Sequence, residues 1–480
     1  MSEDSASTKP RIRAKARVVP IVAADDSLYE VRQKVYPRAV SGIFARWRWA
    51  LVWITQLLYY GLCWLPWNDR QAVLFHLVER KFYIFGWVFW PQDVFYLAVL
   101  LIISAFSLFL FTAVAGRLWC GYACPQTVYT EIFMWIEEKI EGDRARRMKL
   151  DAAPPSARKF AIKGAKYGAW GAVSLWTGIT FVGYFTPIRE LLQAMFQFDI
   201  GGWELFWALF YGGFTYLMAG VMREQVCKYM CPYARFQSVM FDADTLTITY
   251  DTLRGEPRGS RRKGEDHRAA GKGDCVDCGI CVQVCPTGID IRNGLQIECI
   301  GCAACIDACD QVMDKMNYPP GLIRYSTENA IRQKWDGKAI LRHVLRPRVL
   351  IYGTALLILC VAFLWSLSTR SVLRVDVIKD RRTLAREVEG EFIENVYTLQ
   401  MMNMAERAQR FGIQVSGIDG ARIDGTSEVS MEPEQNRSLT LRVRTPMDAA
   451  PKGSHAIYFE VKGLDDPDLH AREKSVFTMP

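Results

Sequence analysis

Five stretches of this 480-residue chain run about 18 residues or more without a charged side chain: 49–67, 94–115, 167–187, 205–222 and 349–367. A run of that length and character suits the hydrocarbon layer of a bilayer, which an α-helix crosses in about 20 residues. A buried helix of a water-soluble protein would show a polar stripe at every turn, and none is visible. The pattern predicts a bundle of five transmembrane helices. Half of the residues are apolar, yet the mean hydropathy is only +0.02. Soluble units must therefore dilute the spans.

Basic residues in the flanks set the expected orientation. Arg11, Arg13, Lys15, Arg17, Arg32, Lys34, Arg38, Arg46 and Arg48 precede the first run, and Lys139, Arg144, Arg146, Arg147, Lys149, Arg158 and Lys159 follow the second. Arg261, Arg262 and Lys263 follow the fourth, whereas the loop after the third holds only Arg189. This alternation predicts a cytoplasmic N-terminus, cytoplasmic exits after the even-numbered spans, and an outside location beyond residue 368. The formal charge of +8 follows that topology. No aromatic–basic stripe accompanies it, so nucleic acid is not an expected partner and membrane lipid is. The first apolar run starts too far from the N-terminus for a secretory signal, and it reads as a retained anchor.

Eight of the 14 cysteines fall in two matched runs. "CVDCGICVQVCP" places Cys275, Cys278, Cys281 and Cys285; "CIGCAACIDACD" places Cys299, Cys302, Cys305 and Cys309. The two-two-three spacing is that of bacterial ferredoxins, in which three cysteines wrap one cubane and the fourth reaches the other. It assigns one 4Fe–4S cluster to Cys275, Cys278, Cys281 and Cys309, and a second to Cys299, Cys302, Cys305 and Cys285. Paired Cys-x-x-Cys also binds zinc, but eight cysteines in two matched sets of four argue against it, and disulfides do not suit the reducing side of a membrane. "PTGIDIRNGLQIE" between the runs predicts a hairpin turning at Asn293-Gly294. Asp310 stands where a proline would commonly follow the last cysteine.

A hexapeptide occurs twice, as "CGYACP" at 120–125 and "CKYMCP" at 227–232, each after an apolar run. Arg117 and Arg223 precede the copies, and an amphipathic segment follows each. The pattern is that of a duplicated hairpin. On a straight helix each copy would present two thiols on one face, with the proline ending the helix. If the halves pack about a pseudo-twofold axis, Cys120, Cys124, Cys227 and Cys231 converge. Soft-metal binding, copper included, redox-active dithiols, and plain packing are all open to them. Tyr122 and Tyr229 could serve the thiols or an interfacial aromatic belt, and Cys63 and Cys360 read as packing residues. None of the five histidines (His76, His267, His343, His455, His470) lies inside a span, which argues against haem.

Residues 75–93, "FHLVERKFYIFGWVFWPQD", are too short to span and too aromatic for an ordinary loop. They are expected along the outer interface, either as an anchor or as a cap over a quinone or metal access path. After Thr369, seven runs of period two predict a cysteine-free immunoglobulin-like sandwich. Met401, Met402 and Met404 within it could pack or meet copper. The expected order is a basic cytoplasmic tail (1–48), a four-helix membrane module (49–240), a flexible linker (241–270), a two-cluster ferredoxin domain of α+β type (271–320), a second linker (321–348), a fifth span (349–368) and a periplasmic all-β domain (369–480).

The twin Cys-x-x-x-Cys-Pro exits, "FGWVFWPQD", "CPYARFQ" and the double ferredoxin motif together resemble the CcoG/FixG/RdxA family of bacterial cytochrome oxidase accessory proteins. The likeness runs over nearly the whole chain. It implies an inner-membrane protein that serves assembly of a cbb3-type cytochrome c oxidase by reducing Cu(II) to Cu(I). Cys120, Cys124, Cys227 and Cys231 would then be the catalytic, copper-holding thiols. It also implies contact with a copper-transporting ATPase and oxidase assembly proteins, an unidentified electron donor, and a homo-oligomer as an open option. The membrane module is similar to the quinol-oxidising NapH and NosR proteins as well. A quinol-linked electron-transfer subunit and a non-enzymatic redox sensor or assembly scaffold therefore stay open.

Overall fold

The structure, a computed structural model, describes residues 34–265, 271–380, 385–388 and 390–480. The basic tail's Arg11 to Arg32, and His267, lie outside the described residues. The chain divides into a unit of residues 1–35 and a compact unit from Tyr36 to Pro480, and every helix and strand among the described residues belongs to the second.

Each of the five apolar stretches overlaps a helix: Ile43–Gly61, Val94–Ala115, Ala157–Val182, Gly202–Thr215 continued by a π-helix Tyr216–Met222, and Pro347–Ser368. Among the described residues three helices are long and apolar enough to cross a membrane: Pro91–Ala115, Gly202–Met222 and Pro347–Ser368. The other two are less apolar: Arg46 and Arg48 open one, and the other carries Arg158, Lys159, Lys163 and Lys166 before a stretch rich in small and polar residues. Their far ends also differ from expectation. The first helix stops at Gly61, and Pro66–Trp67 folds back on Arg70–Gln71, since proline cannot continue a helix. The third stops at Val182, five residues short of Pro187.

Small residues let the third and fourth helices approach closely: a Cβ at Gly178 would strike the Ala208 carbonyl, and one at Gly212 would lie 3.1 Å from the Ser174 carbonyl. Val94–Ala115 and Pro347–Ser368 pack antiparallel. Tyr96 donates to the Ser366 carbonyl at one end (3.1 Å), and Arg346 donates to the Ala113 carbonyl at the other (2.8 Å).

Beyond the Ser366 end, residues 75–93 are largely sheet. Val73–His76, Lys81–Ile84 and Trp87–Phe89 form a three-stranded antiparallel sheet, turned at Arg80 and Phe85, both with positive φ. Leu74, Tyr83, Val88 and Trp90 bury one face of this sheet against Met402 and Met404. Arg370 closes the seam by pairing with Asp93 at 2.5 Å.

Nine strands among the described residues make the C-terminal sandwich. One sheet runs Arg422–Asp424, Asn436–Pro446, Phe392–Asn403 and Leu373–Lys379, with Arg386–Val388 also on Phe392–Asn403. The other runs Glu428–Met431, Gln409–Ser416, Gly453–Gly463 and His470–Met479. Inward alternation fills the core with Tyr397, Leu399, Met401, Phe411, Phe459 and Phe477. Each large apolar side chain contributes about 1.5–3 kcal/mol on burial. Tyr397 donates to the Val476 carbonyl across the two sheets (2.9 Å). All three methionines are packing residues: Met401 and Met402 are fully buried, and Met404 accepts from Arg370 at 3.1 Å.

Beyond the Ala113 end sits the cysteine-rich unit. The hairpin expected at Asn293-Gly294 is absent, and Ile291–Asn293 is a single 3-10 turn. The sheet of this unit pairs Thr247–Tyr250 with Ile323–Ser326, two segments expected as linkers. Asp310 lies within the helix Ala304–Met316 and accepts from the Gly321 amide at 2.8 Å, tying the chain after the helix back onto it.

Candidate functional site: two cysteine pockets and the membrane-exit thiols

Each cysteine run curls the same way. Asp277 and Gly279 flank Cys278, and Gly301 and Ala303 flank Cys302; all four have positive φ. Alternating right- and left-handed backbone in this manner turns successive amides toward one centre. Cys275, Cys278, Cys281 and Cys309 line one pocket, walled by Tyr250, Val312, Met313 and Leu322. Cys285, Cys299, Cys302 and Cys305 line a second, among Ile248, Ile289 and Ile300. The fourth cysteine of each run thus lines the pocket of the other run's first three. None of the cysteines is in a disulfide. Burial pushes Cys281 up to about 11 and Cys299 and Cys309 up to about 12. Cys281 borders both pockets, and the eight cysteines of these two apolar pockets fit a pair of 4Fe–4S clusters, whose four irons take one thiolate apiece.

The exit thiols depart from a straight helix. Cys120 lies in the short helix Leu118–Tyr122, and Cys124 is the N-cap of Pro125–Glu141. Cys227 lies in a π-helical turn, Val226–Met230, and Cys231 is the N-cap of Pro232–Met240. Each proline therefore begins the following helix, because the first helical position needs no N–H and suits the fixed φ of proline. Four residues before the first cysteine of each copy the backbone breaks identically, at Gly116 (φ 55, ψ −115) and Arg223 (φ 45, ψ −113). Gly116, and not Arg117, is the structural counterpart of Arg223.

The two copies hold each other. Gln126 donates to the Met218 and Arg223 carbonyls (2.9 and 3.2 Å), Cys120 donates to the Gln237 side-chain oxygen (3.2 Å), and Arg117 donates to the Ala234 carbonyl. As a result the thiols become neighbours. Burial pushes Cys227 up to about 12, with Cys124, Cys120 and Cys231 adding to the rise. Burial likewise pushes Cys120 up to about 12, with Cys124 and then Cys231 contributing. Among the described residues no three Cys, His, Asp or Glu side chains are placed to hold one metal ion, so the four are neighbours and not a formed coordination shell. Cys63 is buried beside Ile179, Ile188 and Leu191, as packing.

A buried ion network fixes the second copy. Glu137 receives Arg223 at 2.9 Å, Arg147 at 3.2 Å and Lys166 at 3.5 Å, while Lys166 also reaches Glu141 at 2.8 Å. Burial alone would raise the Glu137 carboxyl; the surrounding cations, Arg223 foremost, hold it below its ordinary value. Trp170 lies beneath both Lys166 and Arg223.

The second pocket's loop is pressed onto the first exit copy. Arg48 donates to the Cys302 carbonyl (3.0 Å), and Asp307 accepts from the amides of Phe44 and Ala45 (3.2 and 2.7 Å), capping a helix whose own N-cap is Gly42. Tyr325 donates to the Gly301 carbonyl at 2.7 Å. Tyr122 meets Tyr325 at 3.4 Å, so it serves this docking. A cavity of about 150 Å³ remains at the junction, with Arg48, Glu131, Glu138, Glu224, Cys227 and Cys302 among its lining. The docking roles of Arg48, Gln126, Gln237 and Asp307 carry no sequence signal, because their partners are set by tertiary contact alone.

Comparison with known proteins matches these regions one by one. A 4Fe–4S dicluster domain model covers residues 222–328, and a 4Fe–4S binding domain model covers 97–142, which holds only Cys120 and Cys124. The IG-like fold at the C-terminus of FixG covers 363–480. The nitrogen fixation protein FixG of Rhizobium meliloti (strain 1021) is 37% identical, over 98% of this chain and 97% of its own. The chain belongs to the FixG/RdxA family. Two further FixG/RdxA members, RdxA and RdxB of Cereibacter sphaeroides, are 37% and 39% identical over 89% and 87% of this chain and 92% and 89% of their own. A solved FixG-related protein from Vibrio parahaemolyticus aligns with 23% of this chain and 97% of its own at 24% identity, with a TM-score of 0.21. Like the family to which it belongs, the chain is an iron–sulfur electron-transfer protein, with apolar helices suited to a membrane.

Proposed function

We propose that this FixG/RdxA protein resides in the bacterial inner membrane and serves assembly of a cbb3-type cytochrome c oxidase by reducing Cu(II) to Cu(I). The observation that carries the reading is the packing of the Cys302 loop on the first exit copy, at the cavity that Cys227 lines. In this reading Cys275, Cys278, Cys281 and Cys309 hold one 4Fe–4S cluster, and Cys285, Cys299, Cys302 and Cys305 hold the other. When bound, such clusters supply single electrons, which matches the one-electron step Cu²⁺ + e⁻ → Cu⁺. Cys120, Cys124, Cys227 and Cys231 receive the substrate ion, since thiolates favour the softer Cu(I). Glu224, buried on the cavity wall, offers a hard oxygen to the incoming Cu(II). Arg48 and Asp307 tie the inner cysteine loop and its helix to the first membrane helix.

Five membrane-crossing helices remain part of the proposal, as does their orientation. The antiparallel pair Val94–Ala115 and Pro347–Ser368 has the sandwich at one end and the cysteine-rich unit at the other, which supports a periplasmic sandwich and a cytoplasmic redox unit. A copper-transporting ATPase and oxidase assembly proteins would be the partners. The decisive experiment reduces the holoprotein anaerobically, adds Cu(II), and follows cluster reoxidation alongside a Cu(I)-specific dye. One dye-bound Cu(I) per electron lost supports the reading, and Cys227→Ser/Cys231→Ser should abolish it with cluster absorbance intact. Clusters that stay reduced with Cu(II), but are reduced directly by quinol, would instead indicate a quinol-linked subunit.

A further inference from the structure

The two cysteine pockets are not equivalent in position. The one containing Cys302 abuts the membrane-exit copy, while every residue lining the other lies between 250 and 323, within the cysteine-rich unit itself. That outer pocket also holds Cys278, the exposed cysteine among the 14. If electrons leave from the inner pocket, they must arrive at the outer one from a donor that touches it.

One side of the outer pocket's rim is cationic, while on the other Arg292 is matched by Asp277 at 2.5 Å and by Asp290 at 2.7 Å. The segment before Cys275 runs alongside it, with the Gly259 amide donating to the Cys275 carbonyl (3.3 Å) and Lys272 donating to the Ser260 carbonyl (3.4 Å). Arg254 is matched by Asp274 at 2.5 Å, and Arg258 lies 3.8 Å from Glu256. Beyond those pairs the described residues of this segment offer Arg261, Arg262, Lys263 and Lys272 against Glu265. Arg262 and Lys263 are exposed, and chain reach keeps both within about 14 Å of Gly259, whose amide meets the Cys275 carbonyl. In the intervening stretch, Asp266 and Arg268 cancel formally. Arg261 is stacked on Tyr318 (5.2 Å to the ring) and donates to its hydroxyl (3.1 Å), which anchors the segment to the end of the Ala304–Met316 helix.

We infer that this rim is the docking surface for a small acidic electron-carrier protein, which delivers single electrons to the outer cysteine set at Cys278. Charge complementarity selects that occupant. A patch of like charge beside an exposed redox edge raises the encounter rate of an oppositely charged carrier and orients its own redox edge toward the site. Such encounters need only a small interface, below about 1,200 Å². The step is one electron out of the reduced carrier and one electron into the protein, with no bond made or broken. The inference rests on the assignment of the outer cysteines to a cluster, and it is independent of copper.

The test uses full-length holoprotein in detergent, with hydroquinone-state acidic flavodoxin as the probe and methyl viologen radical, a small cation, as the control reductant. No copper is present. Stopped-flow absorbance reads cluster reduction from about 10 mM to about 0.5 M salt. The flavodoxin rate should fall steeply with salt, and Arg262→Glu/Lys263→Glu should lower it about tenfold at low salt. The same variant should show the wild-type iron content and spectrum, and react with methyl viologen at least as fast as wild type. Flavodoxin captured on a sensor surface should bind the wild type and lose the variant, a readout free of electron transfer. Arg472→Glu, on the distant sandwich, should change nothing. A salt-independent flavodoxin rate, or an unaltered rate in the double variant, overturns the inference. Neither result touches the copper reading, whose own test begins from clusters already reduced.

Discussion

Gly121 and Cys302 meet backbone to backbone: a methyl group at Gly121 would lie 2.8 Å from the Cys302 amide nitrogen and equally close to the Gly301 carbonyl. Cys120 is the next residue on one side, and Cys302 is a member of the inner cysteine set on the other. Gly121→Ala should therefore push the two centres apart at a cost of about 1–3 kcal/mol. We expect the full iron content and an unchanged spectrum, but slower reoxidation of reduced clusters by Cu(II) in stopped flow. Reoxidation at the wild-type rate would show that this contact is not the route.

The crossed arrangement of the cysteines predicts a pattern of iron loss. Cys309→Ser should cost about half the iron, one cubane of two. Adding Cys278→Ser should cost little more, because both residues line the same pocket. Adding Cys302→Ser should remove the rest, because it belongs to the other. If Cys309→Ser and Cys302→Ser together lost no more than either alone, the pockets would not be crossed. Iron and acid-labile sulfide determination settles which holds.

Glu137 is the anion on which the second exit copy depends. Glu137→Gln would leave Arg223, Arg147 and Lys166 without their shared carboxylate, at about 3–5 kcal/mol for a broken buried network. Because cations hold the Glu137 carboxyl below its ordinary value, its stabilisation is present above the unfolded carboxylate range near pH 4.3 and is lost as pH falls through the lower folded value. The wild type should thus keep a constant melting temperature from about pH 8 to about pH 5 and lose stability below about pH 4.3. The variant should start lower and show a shallower acid decline. Equal acid declines in the two proteins would remove Glu137 from this role.

The seam between the three-stranded sheet and the sandwich separates apolar from polar contributions. Met402→Ala empties a fully buried position, and should cost about 2–5 kcal/mol and expose the Arg370 region to limited proteolysis. Glu406→Ala removes contacts to Trp67 (3.1 Å), Asn68 (2.9 Å) and Arg70 (3.0 Å). Those contacts are exposed, so the change should cost no more than about 1 kcal/mol. A reversed order of the two melting shifts would mean that charge, and not packing, holds the seam.

What is legible in the sequence is what local chemistry dictates. The cysteine spacing, the alternation in the seven sandwich runs and the charge-free helices all encode their structure within a few residues. Span ends are less legible because absence of charge is not helicity: Pro66 and Gly183 lie within or beside uncharged runs yet end the helices. The hairpin at Asn293-Gly294 fails for a complementary reason. A good turn dipeptide needs partner strands, and the strands of this unit are Thr247–Tyr250 and Ile323–Ser326, far apart in the chain. Nothing local marks Gly121, Arg48 or Asp307, whose parts exist only once the cysteine-rich unit has docked. The duplicated break at Gly116 and Arg223 is obscured because one copy fills it with glycine and the other with an arginine held by Glu137 and the Gly220 carbonyl.

The pairing of Thr247–Tyr250 with Ile323–Ser326 also bears on ancestry. Tyr250 and Ile323 are register partners, so the chain leaves for the cysteine-rich excursion and returns from it on adjacent strands, about 5 Å apart. An excursion with such a narrow base can be acquired, exchanged or discarded by recombination without changing the spacing of the helices before and after it. The redox unit is built as a cassette, and its clasp is where a graft from another electron carrier would take.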